Sequence, residues 1–121
     1  MTWLSVAGLT DVGRERELNE DRFYYRVVQA SDEEPLGLFV VADGMGGHNA
    51  GERASRLAVE ALVDFCRCAR DEGLEANGDT LEEGTIWANR LVFEDAGKDP
   101  ARKGMGTTLT ALLLSAEGYT C

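Results

Sequence analysis

GLFVVADGMGGHNAGE, residues 37–52, is the stretch that decides how this chain folds. Its first part is apolar on both alternating faces, which is typical of a β-strand that is covered on two sides. The strand ends at Asp43, and Gly44, Gly46 and Gly47 follow it directly. A carboxylate at a strand end has a fixed direction. The stretch therefore indicates either a simple chain reversal or a site that uses the Asp43 side chain.

Hydrophobic patterns on either side of this stretch predict an α+β domain. β-branched and aromatic runs favour strands, whereas apolar residues at steps of three and four from Ala54 to Phe65 favour an amphipathic helix. Thr80 and Glu83 form a capping-box pattern at the start of a second helix. The predicted strands are residues 3–13, 21–30, 36–43 and 104–115, with another starting at Tyr119, and the predicted helices are 50–71 and 80 to about 96.

The last long strand is informative because it needs neighbours. A run as apolar as LTALLL, residues 109–114, invites association if its edge is uncovered. The predicted element order also leaves few strands to cover two helices. We therefore expect residues 1–121 to be the N-terminal part of a larger domain, with self-association through the uncovered strand. The alternative is a complete small α+β domain.

Charge and composition exclude several classes of partner. The 22 acidic and 12 basic residues give a net charge of −10, which opposes binding to nucleic acid and to anionic membrane surfaces. No apolar run approaches the roughly 18 residues of a membrane span, and the N-terminus does not resemble a signal peptide. The three cysteines, Cys66, Cys68 and Cys121, contain no CxxC spacing. These features predict reduced thiols and a cytoplasmic location.

Three interpretations of the Asp-Gly turn compete. Asp-Gly is a common turn, and the glycines can serve only to reverse the chain. A dinucleotide-binding loop also has the order strand, glycine-rich turn and helix, but here Asn49 occupies the third glycine position and Asp43 would lie beside a pyrophosphate. The third interpretation is a site for a hard metal ion, in which Gly44 lets its carbonyl approach the ion that Asp43 binds.

A metal site needs further carboxylates, and LNEDRF, residues 18–23, supplies two of them. Because adjacent residues of a strand point to opposite faces, we expect Asp21 to approach the ion and Glu20 to assist through water. Arg14 and Arg16 lie just upstream, and a guanidinium beside a metal site can bind two phosphate oxygens. Solvated strand ends and surface arginines are the ordinary alternatives. His48 is either a general acid or a helix-start residue.

Three motifs together resemble the metal-dependent protein phosphatases of type 2C, the PPM family. They are TDVGRERELNED (10–21), VVADGMGGHNAGE (40–52) and GMGTTLTALLL (104–114), and the DGMGGH form is most similar to the bacterial branch. The resemblance implies an α-β-β-α sandwich of two antiparallel sheets flanked by helices, incomplete in this chain. It also implies hydrolysis of phosphoserine and phosphothreonine in proteins, in partnership with Ser/Thr kinases, at a site for two Mg²⁺ or Mn²⁺ ions.

The resemblance also implies roles for individual residues. Asp43 matches the carboxylate that bridges the two ions, and Gly44 matches the residue whose carbonyl binds one of them. Glu20 and Asp21 match acidic residues that hold metal-bound waters. Arg16 matches the arginine that binds the substrate phosphate, whereas Arg14 does not fall on that position. In the segment at 104–108, Gly106, Thr107 and Thr108 match structural positions, for which packing is expected in preference to chemistry.

Two departures from the family pattern bear on activity. Met45 stands where some members carry a histidine as leaving-group acid, and a thioether cannot donate a proton. The Gly-Asp-Ser, Ser-Asp-Gly and Asp-Asn motifs, whose aspartates complete the metal shells, do not occur in residues 1–121. We therefore expect impaired hydrolysis from this chain alone. The alternative function is a non-catalytic remnant that binds a protein partner.

Overall fold

A computed structural model describes residues 9, 21–29, 35–47, 49–71, 78–115 and 118–120. The predicted strand at 3–13, apart from Leu9, and the predicted turn at 31–35, apart from Pro35, lie outside the described residues. In chain order the elements are β1 (Asp21–Gln29), β2 (Pro35–Met45), α1 (Ala50–Asp71), α2 (Gly78–Ala96), one turn of 3-10 helix (Pro100–Arg102), β3 (Gly106–Thr107), β4 (Thr110–Ser115) and β5 (Gly118–Thr120).

The strands form one antiparallel five-stranded sheet with β2 at its centre. The order is β1-β2-β4-β5, and β3 pairs with the end of β2. Asp21 of β1 lies opposite Asp43 of β2 at one end of their ladder. On the other edge of β2, Val41 lies opposite Thr110 of β4. The single strand predicted at 104–115 is therefore two strands, β3 and β4, separated by residues 108 and 109.

α1 covers one face of the sheet, and α2 packs mainly against α1 and reaches the same apolar cluster through Leu81. Val40 and Ala42 are almost fully buried and belong to one apolar cluster with Leu62 of α1 and Leu81 of α2. Because strand side chains alternate between faces, Val41 points the other way, and it is 56% exposed. Within the described residues, β2 is therefore covered on one face and not on both as the sequence predicts. The second sheet of the sandwich that the resemblance implies is not part of the described residues.

The two predicted helices form, and one predicted helix start is wrong. α1 has the bounds that its apolar period predicts, because its alanines line the contact with α2. α2 begins at Gly78, so Thr80 lies inside the first turn and is not the N-cap of the predicted capping box. Asp79 in that turn complements the positive end of the helix dipole, which favours the earlier start.

The helices approach each other closely at Gly84. A Cβ atom at this position would lie 2.7 Å from Cδ1 of Leu62 and 3.0 Å from Cδ1 of Phe65. Leu62 is fully buried and has little room to move. Overpacking costs roughly 1–3 kcal/mol, whereas the better helix propensity of alanine returns about 1 kcal/mol. We therefore expect Gly84→Ala to lower the free energy of unfolding by about 1 kcal/mol.

Urea denaturation of matched variants measures this effect. Gly97→Ala is the control, because its Cβ would meet no atom closer than 3.5 Å. We expect the control to change the free energy of unfolding by less than about 0.5 kcal/mol. A Gly84→Ala protein as stable as the parent would contradict the tight contact between the helices.

The outer edge of β4 is covered in part. Leu113, Leu114 and Ser115 pair with β5. Residues 110–112 have no strand on that edge within the part of the chain that the structure describes. This edge is the place for the predicted self-association, which stays a prediction.

Two smaller expectations concern membranes and thiols. In the described ranges, no helix combines the length and apolar character needed to span a bilayer. Cys66 and Cys68 are both free thiols, as their spacing predicts. Burial raises the pKa of the Cys66 thiol, so it is an unreactive part of the α1 surface that faces the core. Cys121 lies outside the described residues.

Candidate functional site

Asp21 and Asp43 are direct cross-strand partners. Their Cα atoms pair at the end of the β1–β2 ladder, although the two residues are far apart in the sequence. Side chains of residues directly opposite in antiparallel strands lie on the same face of the sheet, with Cβ atoms about 4.5–5.5 Å apart. The structure thus brings together the two carboxylates that the sequence selects.

The aspartate pair lies on the face of the sheet that the helices leave open. Phe23 and Val41 form the next pair on this face, and Tyr25 follows. The rings of Phe23 and Tyr25 stack with centroids 6.2 Å apart. Both aspartates are exposed. The open face is therefore apolar along its length, and its carboxylates stand at one end.

Thr108 binds the main chain of Asp43 on the side away from Asp21. The Asp43 N–H donates to Oγ1 of Thr108 over 3.0 Å, and the Thr108 N–H donates to the Asp43 carbonyl over 2.9 Å. Both main-chain groups of Asp43 therefore point away from β1. The pair of Asp21 and Asp43 is consequently of the non-hydrogen-bonded kind, which brings Cα atoms to about 4.5 Å and side chains closest together.

The strand end predicted at Asp43 is wrong by two residues, because Gly44 and Met45 pair with β3 and extend β2 to Met45. The turn that follows Met45 packs tightly against the start of α1. Gly44 is buried, and β3 pairs with it and with Met45 through Thr107 and Gly106. Gly46 has a φ of +143°, and a Cβ atom added to this residue would lie 3.0 Å from Cβ of Ala50. A side chain is therefore excluded at Gly46 both by the backbone and by its neighbours. A Cβ atom added to Gly47, by contrast, would have no neighbouring atom within 4 Å.

An ion pair that the sequence analysis missed links β1 to α1. Nη2 of Arg22 lies 2.9 Å from Oε1 of Glu52, which is in the first turn of the helix. Arg22 follows Asp21 directly, so its side chain points to the helix face of the sheet. The contact thus ties the strand that begins at Asp21 to the helix that follows the Asp-Gly turn. The two residues are 30 positions apart, and sequence spacing gives no signal of it.

A second missed cluster holds the segment that leads to β3. Asp95, near the end of α2, accepts two hydrogen bonds from Arg53 of α1 and one from Arg102 of the 3-10 turn. The Asp95 side chain is 11% exposed. The hydrogen bond from Arg53, together with the charges of both arginines, lowers the pKa of Asp95 from 3.8 to about 2. One buried carboxylate therefore joins three segments of the chain.

The donor chemistry of the aspartate pair fits a hard divalent cation. Carboxylate oxygens are ligands that Mg²⁺ and Mn²⁺ prefer, and two like charges directly opposite each other repel unless a cation lies between them. Among the described residues, no group of three or more His, Cys, Asp and Glu side chains converges. The described part of the chain therefore has two paired carboxylates available for such a site.

The remaining predicted site residues have different outcomes. Gly44 lies where the sequence places it, next to Asp43 at the end of β2. Met45 is 54% exposed on the same face as Asp43. Arg16, Glu20 and His48 lie outside the described residues, so their predicted roles stay predictions.

Comparison with known proteins gives a consistent result. A family model described as Protein phosphatase 2C matches residues 13–121. Among curated proteins, the protein phosphatase PhpP of Streptococcus pneumoniae is 35% identical over 117 residues, which cover 92% of this chain and 43% of PhpP.

Solved structures resemble the chain in the same way. A serine/threonine phosphatase of S. agalactiae matches with a TM-score of 0.62 and 30% identity, covering 87% of this chain and 41% of that one. The catalytic domain of the phosphatase PstP, solved in complex with two manganese ions, matches with a TM-score of 0.53 and 34% identity over 77% of this chain and 43% of that one. The chain spans less than half the length of each of these proteins.

Proposed function

The chain belongs to the protein phosphatase 2C family, and on that premise we propose that residues 1–121 form the N-terminal part of a metal-dependent phosphatase domain. The reaction is hydrolysis of phosphoserine and phosphothreonine in proteins. The observation that carries the proposal is the pairing of Asp21 with Asp43. Two exposed carboxylates on one face, at the end of a sheet, are suited to bind the cation that such a reaction uses.

Within this proposal, Asp43 would be a direct carboxylate ligand of the Mg²⁺ or Mn²⁺ ions, and Asp21 would hold metal-bound water beside it. Main-chain groups alternate between the two edges of a strand, and those of Asp43 point toward Thr108. The Gly44 carbonyl is therefore directed toward the edge on which Asp21 lies, where it can serve as a further ligand. Glu20 assists from the position before Asp21.

When bound at this site, divalent ions would supply an activated water and would neutralise the charge that develops on the phosphoryl group. The chain's own residues then bind and orient. In this proposal, the guanidinium of Arg16 donates hydrogen bonds to two oxygens of the substrate phosphate. Asp21 and Asp43 keep the ligand oxygens on one face of the sheet. Met45 cannot donate a proton to the leaving group, so that proton must come from another group.

Mn²⁺ binding by matched variants tests the proposal. At a Mn²⁺ concentration ten times the dissociation constant, binding to the folded state adds about 1.4 kcal/mol to the free energy of unfolding, which is about 5 °C in melting temperature. We expect Asp43→Asn and Asp21→Asn to lose this shift. Without metal, Asp43→Asn is expected to be as stable as the parent or slightly more stable, because its repulsion with the opposite carboxylate of Asp21 is removed.

Asp64→Asn is the control for these changes, because Asp64 is an exposed carboxylate on α1. It should keep the full Mn²⁺-dependent shift. A parent protein that shows no shift at millimolar Mn²⁺, or an Asp43→Asn protein that keeps it, would overturn the metal site. The first of these outcomes is the one that the alternative, a partner-binding remnant without chemistry, requires.

The proposal extends to partners and surroundings. The curated relatives include proteins named serine/threonine phosphatases, for example stp of Listeria innocua. We propose that the substrate is a protein phosphorylated by a Ser/Thr kinase and that both act in the cytoplasm. The net charge of −10 supports a role away from nucleic acid. The edge of residues 110–112, which no described strand covers, is the proposed place for self-association.

A further inference from the structure

The ladder between β2 and the strands beside it is interrupted opposite Asp43. Gly44 pairs with Thr107 before the interruption, and Val41 pairs with Thr110 after it. The register is therefore unchanged, with no residue inserted as in a β-bulge. At the interruption, Thr108 faces Asp43 but uses its side-chain hydroxyl in place of its carbonyl as the acceptor for the Asp43 N–H.

The Thr108 carbonyl has a different partner. The hydroxyl of Thr107 donates to it over 2.8 Å. The Thr108 N–H still donates to the Asp43 carbonyl. The two threonine hydroxyls thus replace one rung of the ladder at the position where the site aspartate stands. A valine at position 108 would keep the shape of threonine but leave the Asp43 N–H without this acceptor.

We propose that Thr108 is a positioning residue for Asp43, an inference that rests on the metal-site function proposed above. Thr108 acts through the main chain. Thr108 holds both the N–H and the carbonyl of Asp43 on one edge of β2. On the opposite edge, Asp43 and Asp21 therefore approach each other as closely as a non-hydrogen-bonded pair does. The hydroxyl of Thr108 therefore fixes the separation between the carboxylates of Asp21 and Asp43.

Four proteins test this role: the parent, Thr108→Val, Thr108→Ser and Thr110→Val. Serine keeps the hydroxyl at position 108. Thr110 is an exposed threonine of β4, so its replacement is the matched control. The first readout is the Mn²⁺ dissociation constant, measured by the electron paramagnetic resonance signal of free Mn²⁺. We expect about fivefold weaker binding by Thr108→Val, the equivalent of one ordinary hydrogen bond, and changes below about twofold for the other two variants.

The second readout needs no metal. A non-hydrogen-bonded antiparallel pair brings the two Hα atoms close together, so a strong nuclear Overhauser effect is expected between Hα of Asp21 and Hα of Asp43. We expect Thr108→Val to weaken this signal and Thr108→Ser and Thr110→Val to retain it. A weakened signal in Thr108→Val supports the positioning role even if the parent binds no Mn²⁺, in which case the proposed function alone fails.

The opposite results overturn the inference. If Thr108→Val melts at a lower temperature but keeps the parent's Mn²⁺ affinity and the parent's Hα–Hα signal, Thr108 stabilises the sheet without positioning Asp43. If Thr108→Ser behaves like Thr108→Val, the hydroxyl is not the group responsible, and the inference fails for that reason.

Discussion

Gly46→Ala is expected to lower the free energy of unfolding by about 3 kcal/mol. Two costs add at this position. A φ of +143° is strained for any residue with a Cβ atom. That Cβ would also lie 3.0 Å from Cβ of Ala50, 3.2 Å from the main-chain nitrogen of Gly51 and 3.3 Å from Cβ of Met105. Ala50 and Met105 are both buried and have little freedom to withdraw.

Gly47→Ala is the matched control for this prediction. Its Cβ position has no neighbour within 4 Å, so we expect a change below about 0.5 kcal/mol. Guanidinium or urea denaturation of the two variants measures both values. Because domains of this size are stabilised by only about 5–15 kcal/mol, Gly46→Ala should be visibly less stable. Equal stability of the two variants would show that the turn relaxes and that Gly46 is not required.

Part of the stability that the protein loses in acid is expected to come from protonation of Asp95. The substitution Asp95→Asn should remove this part of the pH dependence. The Asp95 pKa of about 2 in the folded state is below the ordinary value of 3.8. Such a carboxylate contributes stability that is fully present above about pH 4 and is lost as the pH falls toward 2. The shift corresponds to about 2 kcal/mol, an upper value because Arg53, the main partner, is 40% exposed and solvent screens the interaction.

Asp95→Asn measures this contribution. We expect the variant to be about 1–2 kcal/mol less stable at pH 7, and the difference from the parent to disappear as the pH approaches 2. Glu52→Gln is the control, because it breaks the more exposed pair with Arg22 and should cost less than about 1 kcal/mol. Urea denaturation at a series of pH values separates the two. A difference between parent and Asp95→Asn that stays constant down to pH 2 would contradict the ionic origin of the effect.

Local periodicity explains why the helices could be predicted from the sequence. The apolar repeat of α1 is continuous, and its alanines are the residues that contact α2, so pattern and packing agree from Ala50 to Asp71. The start of α2 was harder to predict because a capping pattern at Thr80 competes with an earlier start at Gly78. Helix ends depend on single residues, whereas helix bodies depend on the sum of many.

The proximity of the two candidate ligands could be predicted where residue type alone carries the information. A carboxylate at each strand end selects Asp21 and Asp43, and antiparallel pairing then places them opposite each other. The groups that hold Asp43 in place could not be predicted, because they depend on partners distant in the chain. The sequence predicts a structural position for Thr108 but not its partner, and the structure shows that its hydroxyl accepts a hydrogen bond from the Asp43 N–H. Asp95 belongs to no recognisable sequence motif. Its role depends on the fold, which brings the side chains of Arg53 and Arg102 to it.

The bond between Asp43 and Thr108 has a consequence for how the protein is made. The two residues are 65 positions apart, whereas β1 and β2 are neighbours in the chain and can pair early as a hairpin. Closing the longer loop costs more chain entropy and comes later. During synthesis, we therefore expect the pairing of β1 with β2 to precede the contact with Thr108. We expect the spacing of Asp21 and Asp43 to reach its final value only when Thr107 and Thr108 have joined the other edge of β2.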